Sequence, residues 1–343
     1  MKSRTSSSAA KLVVGAAAKA DLDALRSLHK RGADLNAQYR GYRALHALIQ
    51  TKPHADATAP SANQLKTFSW LLAHGADPQL PGAWPPARAI LVAAFMGTRE
   101  YVDLLIRHGF RIDAFVSAAL GDAAAVKRAI GRDPSVATGR DLHGLTLLQC
   151  AAASRMGWQD KKLRRRLLLI AELALDAGAD PHAATKSSTH DVDAVYFAAS
   201  SHQLHVFRLL LDRGADATRA LTNALWNGGN ESAALADAAL AHGADVNRAE
   251  ADGRPLMNGL IRWGQFGPAR WLLAHGADPN RSQGIDGTPT AGWTALHQAA
   301  SRGNAKVVED LLAAGADRFR TDAAGRTPRD IVKAKAVLQW LTP

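Results

Sequence analysis

Tryptophans and arginines alternate in the last third of the sequence, and these two residue types are suited to molecular recognition. An indole offers a large rigid surface and a guanidinium offers a planar fork of donors, so both are enriched among the residues that dominate binding energies. The alternating residues are Trp226, Arg254, Arg262, Trp263, Trp293 and Arg302. They predict a binding patch, with the alternative that some of these indoles pack between neighbouring structural elements.

The densest basic run of the chain is a second candidate site. It comprises Lys161, Lys162, Arg164, Arg165 and Arg166. Clustered cations bind phosphates or acidic partners because binding releases counterions. The alternative, which we favour, is an extension of a helix whose cationic side chains lie in solvent, since neither repeated aromatic residues nor a known nucleic-acid module accompanies the run.

Residues for catalysis are sparse. Cys150 is the only cysteine and lies in an apolar, alanine-rich segment, where a buried thiol is inert far more often than reactive. No nucleophile with a base and an orienting group can be recognised, and no glycine-rich phosphate loop occurs. The sequence therefore predicts a protein that is not an enzyme and that needs no cofactor.

One polar loop carries residues that could collect around a divalent ion. They are His182, His190, Asp191 and Asp193. Histidines and carboxylates are common in polar loops without any metal, so we predict no metal site.

The composition is that of a folded, basic protein. The 343 residues are 47% hydrophobic, and 42 Lys and Arg against 31 Asp and Glu give a net charge of +11. This charge favours an acidic partner without choosing among proteins, nucleic acids and anionic surfaces. A single cysteine suits a reducing compartment, and no apolar run is long enough to span a membrane. We expect a cytoplasmic protein, with secretion as an effector left open.

A recurring Gly-Ala-Asp marker organises the elements that must position these candidates. Each copy follows a leucine-rich segment, and the last four copies are spaced at about 33 residues. The markers end at Asp34, Asp77, Asp180, Asp216, Asp245, Asp278 and Asp317. One type of repeat therefore dominates the chain.

The clearest repeat runs from Gly292 to Asp317 and predicts two antiparallel helices joined by a loop. Thr294 is suited to cap the first helix and Gly303 to end it. The second helix ends at Gly315 in the left-handed conformation. Its apolar stripe consists of Val307, Val308, Leu311 and Leu312.

This repeat resembles the ankyrin repeat. GWTALHQAA is similar to the ankyrin pattern GxTPLHxAA, and DLLAAGAD is similar to the end of the second ankyrin helix. The resemblance implies an all-α solenoid of stacked helix-turn-helix units with hairpin loops, a disordered segment over residues 1–10 and one domain over residues 11–343. The approximate repeats are 11–36, 37–77, 78–111, 112–138, 139–180, 181–216, 217–245, 246–278 and 279–317, followed by a C-terminal cap at 318–343.

The resemblance also implies where a partner binds, because ankyrin repeats generally use the hairpins and the exposed face of the first helix. Counting back from the markers places Arg254 and Trp293 in hairpins. It places at the ends of first helices Phe95, Met96, Trp226, Asn227, Arg262, Trp263 and Arg302. The sequence thus predicts a non-catalytic scaffold that binds another protein through its concave surface, with an inhibitor or immunity-type protein as a narrower form. The alternative is a nucleic-acid or anionic-surface binder using Lys161 to Arg166.

Overall fold

The computed structural model describes residues 2–51, 59–83, 85–187, 191–250, 252–284, 287–332 and 334–342, and for residues 2–7 the backbone alone. These residues form α-helices, two short 3-10 helices and isolated two-residue β-bridges. The all-α fold predicted from the repeats is confirmed. The chain divides into two compact units, unit 1 over Met1–Ala215 and unit 2 over Asp216–Pro343. The single domain predicted over residues 11–343 stays a prediction.

Unit 1 consists of short helices arranged as successive pairs. They are α1 (Lys2–Ala18), α2 (Leu22–Lys30), α3 (Ala44–Gln50), α4 (Ala62–Ala73), α5 (Ala89–Met96), α6 (Arg99–Arg107), α7 (Ala114–Leu120), α8 (Ala123–Arg132), α9 (Ser135–Thr138), α10 (Leu147–Ala153), α11 (Lys161–Asp176), α12 (Ala194–Ser200) and α13 (Leu204–Asp212). The first helices pack in a row in the order α1, α3, α5, α7, α10 and α12, and α11 packs between α8 and α13 in a second row.

Unit 2 repeats this arrangement. Its helices are α14 (Ala217–Asn227), α15 (Ser232–Ala241), α16 (Leu256–Arg262), α17 (Phe266–Ala274), α18 (Ala295–Arg302), α19 (Ala305–Ala313) and α20 (Lys335–Leu341), with 3-10 helices at Gly229–Glu231 and Pro328–Ile331. Helix α16 packs on α18, and α17 packs between α15 and α19. The apolar stripe of a helix is therefore covered by the neighbouring helix pair as well as by the other helix of its own pair.

The repeat from Gly292 to Asp317 forms as its sequence predicts. Thr294 has extended backbone angles and caps α18, while Gly303 ends this helix with φ +70° in the left-handed region. A side chain would be strained there, so glycine is the favoured residue. Local sequence thus fixes both ends of the helix.

Buried histidines join first helices to the hairpin that follows. Nε2 of His46 lies 2.9 Å from the carbonyl oxygen of Ala87, and Nε2 of His297 lies 3.0 Å from that of Arg326. Each ring nitrogen donates its hydrogen to the carbonyl, because a carbonyl can only accept. Burial lowers the pKa of His46 to about 4 and also lowers the pKa of His297. Both rings are therefore neutral structural bridges.

Asparagines form a ladder between successive markers. Oδ1 of Asn280 accepts the backbone N–H of Asp317 at 2.8 Å, while its Nδ2 donates to the carbonyl of Gly315 at 2.9 Å. Asn36 makes the same two bonds to Gly75 and Asp77. One side chain thus holds the loop of its own repeat against the loop of the next.

A charged cluster lies buried in unit 1. The Arg88 guanidinium is 2.7 Å from Oδ2 of Asp113 and 3.7 Å from Oδ2 of Asp141, and Arg88 and Asp141 are both almost fully enclosed. Oδ1 of Asp141 accepts the backbone N–H groups of His143 and Leu145. This cluster connects three loop segments that are well separated in sequence.

The N-terminal segment differs from the sequence expectation. Helix α1 begins at Lys2, whereas the sequence predicts disorder over residues 1–10. No proline or glycine interrupts the chain before Gly15, so the alanine-rich helix extends towards the N-terminus. Among the described residues, no helix is long and apolar enough to cross a membrane.

Candidate binding surfaces

The first helices of unit 2 end with the residues predicted to bind a partner. Helix α14 ends with Trp226 and Asn227, α16 ends at Arg262 directly before Trp263, and α18 ends at Arg302. Equivalent positions of stacked repeats lie next to one another, so the ends of α16 and α18 form a shared rim. A β-carbon built on Gly264 would lie 3.6 Å from Nη2 of Arg302, which places this guanidinium beside the chain that leaves α16.

An open groove of about 610 Å³ lies at this rim. Trp263 is 67% exposed, and both Arg262 and Arg302 are exposed. The groove is lined by Arg262, Trp263, Thr290, Trp293, Gln298, Ser301 and Arg302. We call these residues the unit 2 groove. It brings together four of the nine residues that the sequence predicts to bind a partner.

Trp293 contributes to the groove from a buried position. It is only 8% exposed, and its indole Nε1 donates a hydrogen bond to Oδ2 of Asp322 at 3.1 Å. Its ring is nearly parallel to that of His297. For Trp293 the structure therefore supports the alternative of packing between repeats, because the following loop covers the indole.

Trp226 and Arg254 belong to a separate cluster. Nε1 of Trp226 donates to Oε1 of Glu250 at 3.2 Å, and the Arg254 guanidinium pairs with Glu250 at 3.8 Å and with Asp252 at 2.7 Å. Burial, reinforced by Asp252, raises the pKa of Glu250. Trp226 is half-buried, as is Asn227 beside it. The predicted stripe therefore divides into a hydrogen-bonded cluster and an open groove.

In unit 1 the predicted contact residue Phe95 is buried. Only 8% of it is exposed, and its ring packs 6.0 Å from that of Phe197. Phe95 is therefore a core residue and not part of an open surface, because every residue of α5 from Ala89 to Phe95 is buried. Met96, the last residue of α5, is half-buried.

The basic run forms the first two turns of α11. Asp160 caps the helix by accepting the N–H groups of Lys162 and Leu163. The side chains of Lys161, Lys162, Arg165 and Arg166 are exposed. Positive charge at the electropositive end of a helix is unfavourable for the helix itself, so these cations do not stabilise α11.

Trp158 is a surface residue that sequence reasoning missed. It is 52% exposed, its carbonyl oxygen accepts from Nη2 of Arg164 at 2.8 Å, and the Arg155 guanidinium lies 5.7 Å from its ring centre. Its position shortly before the basic run in the sequence was the available signal. The run therefore has an exposed aromatic neighbour.

The remaining candidates for chemistry carry no site in the described part of the chain. His190 lies outside the described residues, and no group of three potential metal-binding side chains occurs within them. Cys150 is buried and burial raises the pKa of its thiol. A thiol of this kind stays protonated and unreactive.

Helix pairs, hairpin bridges and an asparagine ladder define a protein whose successive repeats stack through their helices within each unit. The sequence profile of the family "Ankyrin repeats (many copies)" matches residues 260–312. The crystal structure of the human ASB11 ankyrin repeat domain is similar in fold, with a TM-score of 0.51 and 21% sequence identity, over 67% of this chain and 96% of that chain. The chain has the ankyrin-repeat fold, as its motifs predict, and residues 260–312 match the sequence profile of the ankyrin repeats. Ankyrin repeats generally mediate protein–protein interactions and are typically not catalytic.

A curated relative is similar over a shorter range. Zinc finger CCCH domain-containing protein 50 of Oryza sativa subsp. japonica is 40% identical over 126 residues, which is 35% of this chain. The chain spans only 18% of the length of that relative. A CCCH finger needs three cysteines, and this sequence holds only Cys150, so the matched segment does not contain such a finger.

Proposed function

We propose that the chain binds another protein through the unit 2 groove and acts without catalysis. The observation that carries this proposal is the exposure of Trp263 between two exposed arginines. Leaving an indole in water forgoes a large apolar gain, whereas burying it in an interface recovers that gain. Isolated apolar side chains are common on surfaces, but an indole beside an open groove and two guanidiniums has the composition of a binding hot spot.

Photo-crosslinking from the groove tests this proposal. A photoreactive phenylalanine derivative at position 263 is compared with the same derivative at position 158, where another exposed tryptophan lies in unit 1. We expect a protein adduct that forms from position 263 and not from position 158. Trp263→Ala should then weaken the binding of the purified adduct partner about 30-fold, as for a hot-spot residue. A partner that binds the Trp263→Ala variant with wild-type affinity would contradict the proposal.

An inhibitor or immunity-type role is a narrower form of the same proposal. It is supported if the crosslinked partner is an enzyme whose activity disappears when the groove is occupied. We place this binding in the cytoplasm, because a chain with one buried cysteine suits a reducing compartment.

A second candidate function is binding of nucleic acid or of an anionic surface by the basic run. Four exposed cations at the electropositive end of α11, with Trp158 exposed beside them, favour it. If four cations contact phosphates of single-stranded RNA, the affinity should fall about 50-fold between 50 and 200 mM salt. Vesicles containing phosphatidylserine serve as the probe for an anionic surface.

A charge-matched pair of variants makes the salt titration decisive. Lys161, Lys162, Arg165 and Arg166 are replaced by Gln in one variant. The control replaces four exposed arginines elsewhere in unit 1, namely Arg99, Arg107, Arg111 and Arg132. Loss of RNA or vesicle binding in the first variant alone supports this function. Equal loss in both variants indicates a response to net charge, and no binding at low salt rules the function out.

A further inference from the structure

We infer that the unit 2 groove recognises a carboxylate, the Asp or Glu side chain of an acidic segment in the partner protein. The inference rests on the proposed function and specifies the chemistry of its ligand. Three observations support it. Two arginines lie at the rim, the described acids nearby pair with other arginines, and a side-chain amide oxygen that lines the groove has no partner within the described residues.

The two arginines at the rim have no anionic partner in the part of the chain that the structure describes. Within the described residues, neither Arg262 nor Arg302 takes part in an ion pair, although both are exposed and line the same groove. A guanidinium presents parallel donors that match the two oxygens of a carboxylate. Two guanidiniums beside one groove therefore favour an anionic group of that shape.

The described acids near the groove are already engaged. Asp322 accepts hydrogen bonds from Trp293 and from Arg326, and it is buried beneath the groove. Glu250 and Asp252 pair with Arg254 in the neighbouring hairpin. Among the described residues, Arg254 and Arg326 are thus neutralised internally, whereas no acid pairs with Arg262 or Arg302.

Gln298 supplies the polar group that a ligand must satisfy. Its side chain lines the groove but is only 5% exposed, and its Oε1 has no hydrogen-bond partner within the described residues. A buried polar atom without a partner destabilises the folded chain, so a bound segment that pairs with this amide oxygen gains affinity. An extended peptide offers such a group next to its acidic side chain, namely a backbone N–H.

Trp263 adds the second element of specificity. Its exposed face suits an apolar or aromatic side chain adjacent to the carboxylate. The expected ligand is therefore Asp or Glu next to a large apolar residue. A phosphate group would satisfy the arginines, but it would bring neither the backbone N–H for Gln298 nor an apolar neighbour for Trp263.

Selection from a library tests the inference. Random short peptides displayed on phage are selected on the full-length chain, and their sequences are compared with those selected on Arg262→Gln/Arg302→Gln. Exposed Arg281 and Arg329 provide the charge-matched control, Arg281→Gln/Arg329→Gln. We expect the wild type and the control to select Asp or Glu next to a large apolar residue, and the groove variant to lose this preference.

A double-mutant cycle on one selected peptide measures the contact directly. Changing the peptide's Glu to Gln should weaken its binding to the wild-type chain at least tenfold and have little effect on Arg262→Gln/Arg302→Gln. Gln298→Leu, which keeps the side-chain size, should weaken binding about three- to tenfold while the melting temperature stays the same or rises, because the unpaired buried oxygen is removed. Additive losses in the cycle overturn the inference.

The outcomes also separate the inference from the proposed function. Neutral peptides that bind in a Trp263-dependent manner overturn the carboxylate inference and leave the groove as a protein-binding site. Peptides whose binding is insensitive to Trp263→Ala and to the arginine substitutions overturn both.

Discussion

The indole Nε1 of Trp293 lies 3.1 Å from Oδ2 of Asp322 and donates a hydrogen bond to it. Asp322 is itself held by Arg326, whose Nε lies 2.9 Å from the same oxygen. Trp293 is thereby joined to the loop that follows the last marker. Trp263 is 67% exposed in the described part of the chain, so two tryptophans of the same groove differ sharply in exposure.

Replacing these two tryptophans should separate stability from binding. Trp293→Ala removes a buried indole and leaves Asp322 without one donor, so we expect a loss of about 3–5 kcal/mol in the free energy of unfolding. Trp263→Ala should change that free energy by no more than about 0.5 kcal/mol, because the side chain is exposed. Urea denaturation monitored by circular dichroism measures both. Equal losses would contradict the assignment of the two roles.

The asparagine ladder predicts that a substitution at the protein surface lowers the free energy of unfolding. Asn280→Ala removes two hydrogen bonds to the next marker and should cost about 1–2 kcal/mol. Asn230, which is exposed in the 3-10 helix of unit 2, provides the control, and Asn230→Ala should be neutral. Thermal and urea denaturation of both variants test the difference. If Asn280→Ala left the free energy of unfolding unchanged, water would replace the two hydrogen bonds of Asn280 without loss of stability.

His46 predicts a pH dependence of stability. Its pKa in the folded chain is about 4, below the ordinary value of 6.5, so the unfolded chain binds the proton more strongly. The stabilisation is complete above pH 6.5 and falls by about 3 kcal/mol as the pH decreases to 4. His46→Gln should remove this component. The free energy of unfolding of the wild type and of His46→Gln is measured from pH 4 to pH 6.5. The same pH dependence in both proteins would contradict the prediction.

The buried charges of unit 1 predict a large effect of a single substitution. Arg88→Ala leaves the enclosed Asp141 without its cation and should cost about 3–5 kcal/mol. Arg111→Ala, at an exposed position, should cost no more than about 0.5 kcal/mol. Combining Arg88→Met with Asp141→Asn should cost less than the sum of the single changes. Additive effects would show that the two side chains do not interact.

Local sequence predicts the helix pairs well because the ends of each helix depend on nearby residues. Thr294 and Gly303 bound α18 through a cap and a left-handed turn, and both can be recognised in the sequence. The ankyrin fold follows from such motifs and is confirmed. The number of repeats remains a prediction.

Exposure of the candidate binding residues could not be predicted in the same way. Trp263 follows the end of a first helix and Trp293 lies in a hairpin, yet the sequence predicts that both bind a partner, and only the later loop with Asp322 buries Trp293. Phe95 is covered by Phe197, about a hundred residues further along the chain. Gln298 was missed because its unpaired amide becomes apparent only once the surrounding helices are packed.

The ladder has an evolutionary consequence, because its bonding partners are equivalent from one repeat to the next. Asn247 accepts the N–H of Asp278 just as Asn280 accepts that of Asp317. A chain that lost residues 247–279 would join Val246 to Asn280, whose Oδ1 would still accept the N–H of Asp317 and whose Nδ2 would still donate to the carbonyl of Gly315. Gain or loss of a whole repeat therefore leaves this part of the bonding intact, whereas gain or loss of part of a repeat interrupts it.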